Sequence, residues 1–250
     1  MPILSSFGRA IKLLQLVVRD GGRHSVTHLA KDLGMPNATL YRLLATLTDQ
    51  GLLQLARRGH YVAGPELLSL TSSLQLSRIA AELARQKLAE LARESGAIVH
   101  MGTLEGDMVT YLVKEGRDNA ALFTREGMQL EAYCTGIGKV LLADLPPEQQ
   151  AQYLANGPFV ALTPNTTVDV AALRGELTRV KNQGFAIDNR EISPDLYCFA
   201  VPVPTGNSSL SLGISVSRLG AEDGDPSKVS GLFALMRATA ADIGNILAAM

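Results

Sequence analysis

Arg42 sits in the run Asn37-Ala38-Thr39-Leu40-Tyr41-Arg42, whose polar members fall opposite a leucine stripe if the run is helical. Ala38 and Ala45, one turn to either side, leave room for close approach, so the guanidinium can reach a guanine edge or a phosphate. Asn37, Thr39 and Tyr41 are the other candidates on that face. Arg57-Arg58-Gly59 adds a basic loop tip. A different chemistry is offered by Thr135-Gly136-Ile137-Gly138, which opens a helix whose N–H groups and positive dipole end suit a carboxylate; every helix has such an end, so the signal is weak alone. Cys198 as nucleophile, His100 as base and Asp188 as its orienter would make a thiol hydrolase. Cys198 and His100 both lie in apolar, strand-like runs, however, where cysteine is more often a small buried hydrophobe than a thiolate. A metal site on His100, Cys134, Cys198 and Asp188 lacks any i, i+3 or i, i+4 pair, so neither a metal nor a cofactor is expected.

The elements that must hold these residues follow from periodicity. Ile3, Leu4, Phe7, Ala10, Ile11, Leu14 and Val17/Val18 recur at helical spacing until Gly21-Gly22. Val26 to Leu33 makes a second helix, and Gly34-Met35-Pro36 turns into a third that begins near Pro36. There Leu40, Leu43, Leu44 and Leu47 form the buried stripe. LLQLARRGHYVAG then alternates as a hairpin, completing three helices and a wing. Gly64-Pro65 marks a boundary, after which residues 65–95 run as leucine-rich helix, broken near Thr71-Ser72-Ser73. Beyond Gly96 a hairpin over 97–116, helices at TGIGKVLLADL, PEQQAQYLANG and VDVAALRGELTRVKNQG, strands at FAIDN, LYCFAVPV and SLSLGISVS, and a last helix from Pro226 predict a mixed sheet flanked by helices. The fold class is α+β: a winged helix-turn-helix over 1–64, a linker helix over 65–78 and a mixed α/β domain over 79–250.

Charge divides at the same boundary. Residues 1–64 carry eight Lys/Arg against three Asp, a net +5, and the remainder carries 15 Lys/Arg against 21 Asp/Glu, a net −6. A small basic module suits a polyanion such as nucleic acid. With 46% hydrophobic residues the 250-residue chain can bury two cores. It shows no apolar run of membrane-spanning length and no leader pattern, and two cysteines without Cys-x-x-Cys spacing fit a reducing cytoplasm.

SSFGRAIKLLQLV, LAKDLGMPNATLYRLLATLTDQGLL and GHYVAGPELLSL resemble the N-terminal domain of the IclR family of bacterial regulators. CTGIGKVLLADL, GFAIDNREISPDLYCFAVPV and LSLGISVS resemble that family's GAF-like sensor domain, so the likeness spans essentially the whole chain. It implies a DNA-binding regulator, more commonly a repressor, acting as a homodimer or tetramer on palindromic or paired double-stranded operators. Helix one and segment 65–92 would supply the contacts between copies. The DNA-contact set is then Arg9, Asn37, Ala38, Thr39, Tyr41, Arg42, Arg57 and Arg58, with Arg23 and Lys31 as further phosphate contacts. Where family members usually carry Lys or Arg followed by Ser, this chain has Asn37-Ala38, which alters one contact. That departure is the one sequence argument for a protein-interaction module without DNA binding.

The resemblance also implies a small-acid effector lined by a loop glycine, an aspartate, a cysteine and two serines, here Gly136, Asp188, Cys198, Ser215 and Ser217. Ser215 and Ser217, two apart on a strand, share one face. Tyr133 and Ile137 are candidates for the lining, while Met101 and Cys134 read better as core. Asp188 beside an anion favours a ligand that bears a donor as well as a carboxylate.

Overall fold

The computed structural model describes residues 5–72, 75–116, 122–206, 210–220 and 230–249, which divide into two compact units, Met1–Gln75 and Leu76–Met250. In the first unit, helix α1 (Ser5–Asp20) ends at Gly21 and Gly22, whose φ values of 63° and 80° only glycine adopts without strain. Helix α2 (Val26–Leu29) tightens into a 3-10 turn over Ala30–Leu33 and stops at the left-handed Gly34, so the second helix of the sequence pattern is half α and half 3-10. Helix α3 (Asn37–Asp49) follows Pro36, and strands β1 (Leu53–Arg57) and β2 (His60–Ala63) form the hairpin. Helix α4 (Pro65–Ser72) closes the unit.

Leu13, Val17, Val26, Ala30, Leu40, Leu44, Leu47 and Leu53 make its core, and each fully buried leucine contributes roughly 1.5–3 kcal/mol. Leu43 lies at the edge of that core rather than in it. Helix α1 also departs from its predicted stripe. Leu13 and Val17 face inward, whereas Phe7, Ile11 and Val18 are exposed, and Ile3 and Leu4 lie outside the described residues. The wing is tied back to the body: Val26 N–H donates to Gly59 O at 2.8 Å, and His60 Nδ1 lies 3.0 Å from Gly22 O.

The second unit opens with helix α5 (Leu76–Ser95) and contains strands β3 (Ile98–Glu105), β4 (Met108–Glu115), β5 (Gln129–Glu131), β6 (Ala186–Asn189), β7 (Leu196–Val203) and β8 (Leu212–Leu219). Between β5 and β6 come helices α6 (Gly136–Asp144), α7 (Pro147–Ala155) and α8 (Val170–Gln183), and helix α9 (Ser230–Ala248) ends the chain. The predicted start of the last strand at Ser209 and of the last helix over 226–229 lies outside the described residues.

The six strands pair in the order β5-β4-β3-β8-β7-β6, and every pairing is antiparallel. The sheet is therefore not mixed. The three-helix excursion joins the two outer strands instead of linking neighbours, so no parallel pair arises. Helices α5 and α9 cover one face through Leu88, Leu91, Met236 and Ile243 against Val99, Phe199, Ile214 and Val216. On the other face α6 packs closely because Gly102 and Gly213 leave room for Ile137: a Cβ on them would lie 3.4 and 3.2 Å from its Cγ2. Helix α8 lies behind α6, with Leu173, Leu177 and Val180 in the same core. Among the described residues no helix is long and apolar enough to cross a membrane.

Candidate functional site

On α3, Leu40, Leu44 and Leu47 anchor the helix to the core. Asn37, Ala38, Tyr41 and Arg42 are exposed, Thr39 is half-buried, and Thr46 donates to Arg42 O at 3.1 Å. Arg57 and Arg58 are exposed at the hairpin tip, and Arg9 is exposed on α1. The predicted DNA-contact residues thus present polar or small surface to solvent, those of α3 on a helix held by its opposite stripe.

The second site is built by strand register. Asp188, Cys198, Ser217 and Ile98 stand in one row across β6, β7, β8 and β3. Ala186, Ala200, Ser215, His100 and Lys114 form the next row on the same face. Alternation places only every second residue of each strand on that face. The start of α6 lies directly above: a Cβ on Gly136 would sit 3.1 Å from Ala200 Cβ and 3.8 Å from Cys198 Cβ. Thr135 caps this helix by accepting from Gly138 N–H at 3.2 Å, and the Gly136 and Ile137 N–H groups precede it at the positive end. Gly138 itself has no substitute, since a Cβ there would come within 2.1 Å of Ala132 O.

A chain of polar contacts runs through the rows. Cys198 stands opposite Asp188 in the β6–β7 register, its Sγ lies 3.1 Å from Ser217 Oγ, Ser217 Oγ lies 3.4 Å from His100 Nδ1, and His100 Nε2 lies 2.8 Å from Thr124 Oγ1. The His100 ring also packs on Tyr111 with centroids 4.8 Å apart. In this structure the row is closed, with Asp188, Ser215 and Ser217 only 1%, 3% and 4% exposed. A small apolar cluster of Ile98, Leu122, Leu196 and Cys198, with Ile192 against it, is separate from the two main cores. More open grooves run along Gln86–Arg93 of α5 and between Thr103–Asp107 and Gln149–Asn156, away from these buried polar groups.

Electrostatics set the protonation states. Burial, and then the nearby Lys114 ammonium, lower the His100 pKa to about 3, so the ring is neutral. Burial pushes the Asp188 carboxyl up to about 7, against the Glu191 N–H it accepts at 2.7 Å and the Lys139 ammonium. Burial likewise raises the thiols of Cys198 and Cys134 far from the thiolate range. Lys139 is fully buried and bonds Glu176 at 2.6 Å and Glu191; burial works against the cation, and the two glutamates more than reverse it. The hydrolase arrangement is therefore not assembled: Cys198 is a protonated thiol, and Ser217 stands between it and His100. Among the described residues no three His, Cys, Asp or Glu side chains are placed to hold a metal.

Residues 72–245 match the sequence model of the bacterial transcriptional regulator IclR C-terminal domain, and residues 6–56 match the IclR helix-turn-helix domain. The chain belongs to the IclR family. Within that family it is 32% identical over 221 residues to the Escherichia coli HTH-type transcriptional regulator XynR, covering 88% of each chain. It is 28% identical over 218 residues to the transcriptional repressor IclR of the same organism, covering 86% of this chain and 80% of that one. An IclR homologue from Microbacterium hydrocarbonoxydans, solved with 4-hydroxybenzoate, shares the fold with a TM-score of 0.63 at 19% identity, covering 98% of this chain and all 100% of the other. Like its IclR relatives, the chain is a transcriptional regulator and not an enzyme, with a DNA-binding helix-turn-helix region and a C-terminal effector domain.

Of the residues singled out in this IclR effector domain, Asp188, Cys198, Ser215 and Ser217 share one sheet face, and Gly136 lies above it. Ile137 fills the space over Gly102 and Gly213. Tyr133 turns elsewhere: its hydroxyl donates to Val160 O at 2.7 Å and its ring packs on Phe159. Sequence reasoning missed Tyr111, Thr124, Lys139 and Glu191, and it weighed His100 only as a catalytic base or a metal ligand. The sole available signal was alternation in β3, which puts His100 two residues from Ile98 on the same face.

Proposed function

We propose that this regulator is a repressor whose grip on a palindromic double-stranded operator is controlled by a small organic acid bearing a hydroxyl donor. Residues 1–64 read DNA, residues 65–78 link, and residues 79–250 bind effector and associate with further copies in the cytoplasm. Arg42, Asn37, Ala38, Thr39 and Tyr41 enter the major groove, while Arg9, Arg57 and Arg58 meet phosphates, supported by the net +5 of residues 1–64. The exposed Phe7, Ile11, Val18, Leu68, Leu70, Leu76 and Leu83 support α1 and segment 65–92 as contacts between copies in a homodimer or tetramer.

The observation that carries the effector reading is the row of Asp188, Cys198 and Ser217 beside Ser215, buried beneath the positive end of α6. Buried polar groups converging beside a small apolar cluster are the composition of a ligand site. The Gly136 and Ile137 N–H groups receive the ligand carboxylate, the two serine hydroxyls hold its second oxygen, and Asp188 accepts from its hydroxyl. Leu122 and Ile192 part to admit it. The 4-hydroxybenzoate bound by the Microbacterium homologue is a hydroxylated acid of this class.

Thermal-shift screening of hydroxy acids and keto acids, followed by fluorescence anisotropy on DNA upstream of the gene, tests the reading. Ser215→Ala with Ser217→Ala should abolish the acid response and leave operator affinity nearly intact. Loss of DNA binding with the acid response retained would reverse this division of labour.

A further inference from the structure

We propose that the effector enters its site as a monoanion accompanied by one proton from solvent, which settles on Asp188, so that the site selects singly charged acids over dicarboxylates. This rests on the effector reading above and adds the charge state of the ligand and of the site.

The argument begins with a charge count. Among the described residues Lys139 is the one cation in a buried group that also holds Asp188, Glu191 and the partly buried Glu176. Its ammonium bonds both glutamates, and among the same residues Glu191 Oε2 is buried without a partner. The group therefore carries more carboxylate than its cation balances before any ligand arrives. The other groups facing Asp188 supply no positive charge. Cys198 on β7 and Cys134 before α6 are thiols, Tyr111 on β4 is a phenol, and His100 on β3 is neutral. The Lys114 ammonium, beyond His100, donates to the carbonyls of Leu122 and Thr124.

A carboxylate seated at the start of α6 would come beside Asp188 with no cation between the two, and a ligand hydroxyl donating to Asp188 carries no charge to offset them. Two carboxylates in one buried site do not both stay ionised; one takes a proton. Asp188 is the group placed to take it, because burial already favours its neutral form and its Oδ1 is occupied by the Glu191 N–H. Once protonated it donates to the ligand, so repulsion becomes an acid–carboxylate hydrogen bond. A second ligand carboxylate would find no other such acid among the described groups facing the site, and the next cation on that face, Lys114, is already engaged by the Leu122 and Thr124 carbonyls.

Isothermal titration of the full-length protein with glycolate, lactate and 4-hydroxybenzoate tests this, with malonate and glycine as comparators. Runs at pH 5.5 and 8.5 in two buffers of different ionisation heat give the proton number. The expected result is uptake of about one proton per bound monoacid at pH 8.5 and almost none at pH 5.5, with Kd weakening roughly tenfold per pH unit in the alkaline range. Malonate should bind at least tenfold more weakly than the tightest monoacid. Asp188→Asn should remove the proton uptake, and Glu191→Gln, which removes a like charge beside Asp188, should move its onset to lower pH. The wild-type proton number decides the matter even if either variant fails to fold. A monoacid that binds at pH 8.5 without proton exchange overturns this inference and leaves the effector reading standing, as does tighter binding of glycine, which would pair Asp188 with an amine. If none of the three monoacids binds at either pH, the effector reading falls and this inference with it.

Discussion

Replacing Asp188 with asparagine should make the empty protein more stable in mild alkali while changing little in mild acid. Asp188 is 1% exposed, and burial lifts its pKa from the ordinary 3.8 to about 7. The folded chain thus holds this proton more tightly than the unfolded chain does. Its contribution to stability is full below the unfolded value and is lost as pH rises through the folded one. A gap of about three pKa units corresponds to about 4 kcal/mol, of which roughly 2–3 kcal/mol falls between pH 5 and 8.5. Asparagine cannot ionise, yet its side-chain oxygen can still accept the Glu191 N–H that Asp188 Oδ1 holds at 2.7 Å.

The difference in unfolding free energy between variant and wild type should therefore grow by about 2–3 kcal/mol in favour of asparagine across that pH span. Urea unfolding followed by tyrosine fluorescence measures it, because the chain lacks tryptophan and Tyr111, Tyr133, Tyr153 and Tyr197 all lie in the second unit. Parallel stability curves for the two proteins would refute the reasoning, since they would mean that Asp188 ionises as easily in the fold as in the unfolded chain.

Lys139→Met leaves Glu176 and the buried Glu191 without their cation, so stability should drop by about 3–5 kcal/mol at pH 8, and thermal melts should show partial recovery at pH 5.5 as a glutamate is protonated. Gly138→Ala drives a methyl to within 2.1 Å of Ala132 O; the α6 entry must shift, lowering stability by about 1–3 kcal/mol in the same melts. Arg42→Ala should weaken operator binding by about 1–3 kcal/mol in anisotropy titrations and leave circular dichroism unchanged, because the side chain is exposed and unburdened by packing. Arg57→Ala with Arg58→Ala should flatten the slope of log affinity against log salt by about 0.9 for each phosphate that the arginines no longer neutralise; an unchanged slope would remove the wing from the DNA interface.

Much of the first unit was legible because its elements are set locally. Gly21-Gly22, Gly34-Met35-Pro36 and Gly59 punctuate the chain where left-handed angles or a helix start are needed, and the α3 leucines declare one face. Helix α1 was legible in extent but not in facing. Its apolar residues wrap most of the surface, and only tertiary contact selects Leu13 and Val17 over Phe7, Ile11 and Val18. In the second unit the longer strands showed themselves by composition, whereas the three residues of β5 gave no periodicity to read. Sheet direction depends on which strands become neighbours, and a crossover from β5 to β6 is equally compatible with either direction until both are seen at opposite edges.

The candidate effector site was legible where one strand alone decides, as with Ser215 and Ser217. It was hidden where register or distance decides. His100 faces Ser215 through the β3–β8 register, while a bulge between Met101 and Gly102 offsets β3 against β4. Lys139 has the sequence look of a solvated helix residue, and its partners Glu176 and Glu191 are 37 and 52 positions away. Yet these residues explain how a ligand over the sheet can be felt beyond it. Helix α6 starts at the proposed carboxylate seat and carries Lys139 one turn later; Lys139 reaches Glu191, whose N–H holds Asp188. The same turn is fastened from outside, where Thr163 donates to the carbonyl of Arg190, a residue at φ 61°, and Thr166 donates to Glu191 O at 2.7 Å. With Asp188 ionised in an empty site, this assembly carries an unbalanced buried charge. A monoanion that arrives with a proton from solvent adds no net charge to it and would tie Asp188 to the ligand carboxylate by a hydrogen bond, so the state it binds is also the state in which the 188–192 turn and the start of α6 are held most firmly.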